Sequence, residues 1–194
     1  MRERPILFSA PMVRAILAGT KTQTRRAVKG WPLEWLSPPI SFSPEYVANP
    51  ENHACPYGQP GGRLWVREAW RASPMFNDKP PRELPGFAPL RYEADNTLHG
   101  AWAGYGLADD GKYRPPMFMP RWASRLTLTL TDVRVERLQA ISEADALAEG
   151  IAGHPDGPWH AYRSLWTLIN GPGSWDANPW VWVVEFRRAP AGGA

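Results

Sequence analysis

The chain has 194 residues, a formal net charge of +3 and a pI near 9.2. That length fits one domain with insertions and is enough to bury a core without disulfides. The lone cysteine, Cys55, excludes an internally stapled secreted scaffold. The apolar run Ile6–Phe8 behind a charged start is too short for a signal peptide or a membrane span, so a soluble cytoplasmic protein is expected. The mild basicity permits a nucleic-acid partner without demanding one. The composition includes 11 tryptophans and 22 prolines. Tryptophan serves both core packing and base stacking, and so much proline predicts long ordered loops.

In chain order, Ile6-Leu7-Phe8 reads as a short strand. Ser9 and Pro11 open a helix that carries Met12, Val13, Ile16 and Leu17 at helical spacing and stops at Gly19. The polar segment Lys21 to Arg26 follows. Residues 31–60 are rich in Pro, Ser and Asn and lack periodicity. Gly61-Gly62 turns into a strand, Arg63 to Arg67. Residues 73–120 are irregular, with a short strand near Leu90 to Glu93. From Ser124 to Leu138, Leu126, Leu128, Leu130, Val133 and Val135 alternate with polar residues, the signature of a half-buried strand. Ser142 and Asp145 form a capping-box pattern that opens a helix to Glu149, stopped by Gly150. A further helix, about Trp159 to Ile169, sets Tyr162, Leu165, Trp166 and Ile169 on one face. Trp180 to Phe186 is apolar enough to be a strand buried on both sides. The expected fold is mainly β with short α-helices, a small barrel with insertions at about 27–60 and 73–120, in one domain over 1–190.

Common cofactor and metal signatures are absent: no G-x-G-x-x-G, no P-loop, no H-E-x-x-H. His53 and Cys55, with the few other histidines, make a poor zinc set, so no metal is expected. Cys55 lacks an orienting partner for nucleophilic work and reads as a half-buried loop thiol. The richest segment is Gly19 to Arg26. A threonine hydroxyl becomes a nucleophile when a base takes its proton. A lysine serves as that base when burial or cationic neighbours lower its proton affinity, and Arg25 and Arg26 are such neighbours. The competing reading is a solvated polar strand. In a regular strand Lys21 and Thr24 point to opposite faces, so a working pair requires a bend here.

Ile16 to Arg26 resembles the G-x-K-x-x-x-R motif of the ASCH superfamily. Gly61 to Trp70 resembles that family's turn and second strand, Leu138 to Gly150 its later helix, and Val181 to Phe186 its closing strand. The Trp-rich insertions resemble those of long phage and prophage forms. The resemblance implies a PUA-like barrel and, since small bacterial members include amidohydrolases of N4-acetylcytidine, a hydrolase of N4-acylated cytosine nucleosides. It implies Lys21, Thr24 and Glu149 as catalytic residues, with no metal and no cofactor. Glu143 and Glu68 rival Glu149. Arg26, Trp65, Arg67, Glu68 and Trp70 are the candidate substrate-binding residues. Trp65, Trp166, Trp180 and Trp182 read as core, whereas Trp31, Trp35, Trp102 and Trp122 lie in loops where one or two can stack on a base. The partner expected is a modified nucleoside, with RNA the second class; the alternatives to the hydrolase are an RNA-binding module and a ribonuclease.

Overall fold

The computed structural model describes residues 3–100, 111–151 and 155–190; Trp102 falls outside them. It contains two sheets. The larger has five strands, β1 (Arg4–Leu7), β2 (Gln23–Ala27), β3 (Arg63–Arg67), β8 (Thr127–Arg137) and β9 (Trp180–Arg188), in the order β1-β3-β8-β9-β2. The smaller has four, β4 (Trp70–Ala72), β5 (Leu90–Tyr92), β6 (Leu98–His99) and β7 (Tyr113–Arg114), in the order β6-β5-β4-β7. Among the described residues five α-helices accompany them: α1 (Ala10–Leu17), α2 (Trp31–Trp35), α3 (Pro44–Ala48), α4 (Glu143–Ala148) and α5 (Pro158–Asn170).

Of the described residues about 31% are helical and 26% strand, so the class is mixed α/β, with two sheets and few helices, and carries more helix than a mainly β fold. The excess helix comes from α2, α3 and several one-turn 3₁₀ segments in the stretches read as loops. No closed barrel is seen among the described residues. β1 pairs parallel with β3, and the remaining neighbours in the five-stranded sheet are antiparallel. Its two edges, β1 and β2, are tied by a side chain: Arg26 Nη2 donates to the Leu7 carbonyl at 2.6 Å.

The alternation in β8 buries Leu128, Leu130, Val133 and Val135 as expected, and a bulge between Leu130 and Asp132 shifts the register against β9. β9 is buried over Val181–Val184, which its unbroken apolar run requires. Leu64, Val66, Leu128, Leu130, Trp182 and Phe186 join Val13 and Ile16 of α1 in one apolar core. On the other face Val181 and Val183 pack with Tyr162, Trp166 and Trp175.

The small sheet has its own core around Trp70, Leu90, Tyr92 and Met119. Arg125 links it to the large sheet. Its guanidinium meets both carboxylate oxygens of Glu68 at 2.9 Å and Asp95 at 2.9 Å, and it lies 4.1 Å from the Tyr92 ring centroid. Among the described residues no helix is long and apolar enough to cross a membrane.

Candidate functional site

The segment between α1 and β2 turns at Gly19 before the strand begins. Gly19 takes φ of +75°, a left-handed conformation open to glycine at little cost. Lys21 then pairs with Glu149, at the end of α4, in an isolated antiparallel bridge, before β2 begins at Gln23 and pairs with β9. Thr22 joins the two environments: its N–H donates to Ala148 at 2.8 Å and its carbonyl accepts from Phe186 at 2.8 Å. Lys21, Gln23, Thr24 and Arg25 are all buried, so a solvated polar strand is not what forms.

Glu149 is placed by α4. Ser142 Oγ accepts from Asp145 N and the Asp145 carboxylate accepts from Ser142 N, closing the expected capping box. At the other end Gly150, at φ +82°, turns the chain where a Cβ would come within 2.7 Å of Ala15 Cβ and 2.8 Å of Lys21 Cβ. Glu149 therefore faces Lys21 at close range. Lys21 Nζ donates to Glu149 Oε2 at 2.7 Å and to the Glu149 carbonyl at 2.8 Å, with the lysine side chain fully shielded from solvent.

Burial pushes the Lys21 ammonium below its ordinary proton affinity; Glu149 opposes this, and Arg26 and Arg25 add to it. The Phe8 ring lies beneath both cations, 5.6 Å from Lys21 Nζ and 5.4 Å from Arg26 Cζ. Arg25 reaches three carboxylates: Glu136 at 3.1 Å, Asp145 at 3.2 Å and Glu149 at 3.9 Å. Its Nη1 and the Glu149 Oε1 are buried without hydrogen-bond partners.

A cavity of about 250 Å³ adjoins this cluster. β2 supplies Thr24, Arg25, Arg26 and Ala27, α5 supplies Tyr162, Leu165, Trp166, Ile169 and Asn170, and Glu149 also lines it. Met12 and Tyr57 complete a wall. Three cationic residues, Arg25, Arg26 and Lys29, against the single acid Glu149 make the lining electropositive. Burial and the Glu149 charge raise the Tyr162 phenol well above its usual value, keeping it neutral.

Of the residues read from sequence, Lys21, Thr24, Glu149 and Arg26 come together; Lys21 lies behind the cavity lining, in contact with Glu149. Trp65, Arg67, Glu68 and Trp70 do not line this cavity. Trp65 and Arg67 stack on each other at 4.6 Å, Glu68 is locked to Arg125, and Trp70 is in the core of the small sheet. Glu143, the other rival, is exposed at the start of α4. Tyr57, Tyr162 and Trp166 are lining residues that sequence reading did not assign to a site, and Arg25, read as a cationic neighbour of Lys21, also lines it. The signal for α5 was its apolar face, which reads equally well as core.

Cys55 is buried and its thiol is pushed up to about 11 by that burial, which leaves it protonated at neutral pH. Among the described residues no group of three or more His, Cys, Asp or Glu is placed to hold a metal. No family model, curated protein or solved structure matches this chain.

Proposed function

We propose that the chain is an ASCH-type, PUA-like protein that hydrolyses the amide of N4-acetylcytidine or a related N4-acylated cytosine nucleoside. The observation that carries the reading is the solvent-shielded Lys21–Glu149 pair beside a small cavity that Thr24 lines. The order of strands with α1 between β1 and β2, and the Arg26 link between the two sheet edges, support a barrel left partly open at that seam.

In the proposed reaction Lys21 Nζ, in its neutral form, takes the proton of the Thr24 hydroxyl. The oxygen attacks the acyl carbon, and negative charge develops on the carbonyl oxygen in an electropositive cavity. Collapse breaks the C–N bond, and the Lys21 proton passes to the exocyclic nitrogen, so cytidine leaves. Water then hydrolyses the acyl-threonine, returning the hydroxyl and releasing the carboxylate. Glu149 holds the Lys21 ammonium in place at each protonated stage. The aromatic side chains of Tyr162 and Trp166 offer an apolar wall for the pyrimidine. At about 250 Å³ the cavity lies just below the usual size of ligand sites, about 300–1,000 Å³. That favours a nucleoside over a strand.

The test is the ultraviolet absorbance of N4-acetylcytidine with purified protein and with Thr24→Ala. Conversion to cytidine that Thr24→Ala abolishes supports the reading. Folded wild-type protein that leaves a series of acyl groups untouched overturns it, and salt-dependent RNA binding and RNA cleavage then become the readings to measure.

A further inference from the structure

The second insertion carries a feature unconnected with the cleft. A cavity of about 420 Å³ opens beside the small sheet, bordered by Lys79, Pro80, Lys112, Tyr113, Arg114 and Phe118. Arg114, on β7, is only 6% exposed. Its guanidinium donates to the carbonyls of Phe76 at 2.7 Å and Lys79 at 3.2 Å and stands 5.4 Å from the Trp70 ring centroid. Its Nε is buried without a hydrogen-bond partner.

Arg25, Arg71, Arg125 and Arg134 each meet a carboxylate, whereas the half-buried Arg4 and Arg26 are satisfied by main-chain carbonyls; Arg114 is the more deeply buried case. Arg114 meets no carboxylate among the described residues. A guanidinium removed from water and balanced by carbonyl dipoles leaves a charge with which no carboxylate of the described residues is in contact. Lys79 and Lys112 add to that excess, and among the described residues Asp78 is the one acid in the lining. Next to these cations two aromatic rings face solvent, Tyr113 at 48% and Phe118 at 55% exposure. Cations that bind phosphate oxygens, beside open ring faces that stack on a flat base, are the two halves of nucleotide recognition.

We infer that this cavity binds a nucleotide, with the phosphate held by Arg114, Lys79 and Lys112 and the base laid on Tyr113 or Phe118. The nucleotide is either free or one unit of a single strand. The site is independent of hydrolysis at the cleft.

The experiment is calorimetric titration of the full chain with cytidine monophosphate, inorganic phosphate and a short single-stranded RNA, at several salt concentrations. Because Arg114 also packs the small sheet, the variants are Lys79→Ala with Lys112→Ala, and Tyr113→Ala, each checked for folding. Binding of the monophosphate that weakens with salt, and weakens about tenfold or more in both variants, is expected; tenfold corresponds to about 1.4 kcal/mol. For the RNA, the salt slope should shrink by about 0.7 for each phosphate left without its lysine. RNA bound more tightly than the monophosphate identifies a strand as the source; equal affinity identifies the free nucleotide. The inference is overturned by wild-type protein that binds no nucleotide, by binding that neither variant changes, or by inorganic phosphate that binds as tightly as the nucleotide. Nucleotide captured only by the cleft gives unchanged variants and counts against it.

Discussion

Lys21 and Glu149 are 128 residues apart in sequence, yet Glu149 accepts two hydrogen bonds from the same lysine nitrogen, through its carboxylate at 2.7 Å and its main-chain carbonyl at 2.8 Å. One residue thus holds the other in position and acts on its proton affinity. Burial lowers the proton affinity of Lys21, and the Glu149 carboxylate opposes that shift.

Under the proposed hydrolysis, Thr24→Ala removes the nucleophile while leaving the ion pair intact. We expect hydrolysis of N4-acetylcytidine to fall by at least about a thousandfold, with a denaturation midpoint close to that of wild type. Steady-state rates and urea denaturation check this together; a variant that retains its rate excludes Thr24 as the attacking group.

Glu149→Gln removes the partner that favours the ammonium. The Lys21 proton affinity then falls further, so the neutral base exists at lower pH. The acidic limb of the pH–rate profile should move to lower pH, whatever happens to the maximal rate. A limb that stays in place or moves upward would show that Lys21 is not the titrating base.

The same lysine imposes a pH dependence on folding. Its folded value lies below the 10.5 of a free side chain. Between the two values the unfolded chain binds the extra proton, so stability from this group rises with pH across that window and is lost as pH falls through the folded value. Denaturation midpoints measured on the alkaline side of neutrality should therefore rise less steeply with pH in Lys21→Met than in wild type.

Gly150→Ala places a methyl group against Ala15 and Lys21 in a left-handed backbone conformation. The strain should cost about 1–3 kcal/mol and displace the lysine, lowering hydrolysis as well as the denaturation midpoint. A fully active Gly150→Ala variant would separate the bridge from the chemistry.

Arg125→Ala leaves Glu68 buried and without its bidentate partner, and deprives Asp95 of a close cation. A destabilisation of about 3–5 kcal/mol is expected. Because neither residue lines the cleft, the kcat/KM of the folded fraction should be unchanged. Chemical denaturation and a rate assay on the same sample distinguish this joint between the sheets from a substrate-binding role for Glu68.

Much of the frame is local and was legible in the residues. The leucine–threonine alternation of β8, the apolar run of β9, the Ser142–Asp145 capping box and the Gly19 stop each depend on neighbours within a few positions, so sequence alone determines them. Sequence also marked Lys21, Thr24 and Glu149 as a group, through the resemblance of their segments to one family. It did not show the small sheet. Strands of two or three residues, such as Tyr113–Arg114, are too short to express a period and form only because a partner strand completes their hydrogen bonds. Nor did it show the cleft wall. Tyr162 and Trp166 have the pattern of core residues, and only the packing of α5 across β2 leaves a cavity beside them. The pairing of Thr22 is also decided by tertiary structure. Its two main-chain hydrogen bonds go to Ala148 and Phe186, partners that the fold brings there from far along the chain, and that division lets Lys21 leave the strand to meet Glu149.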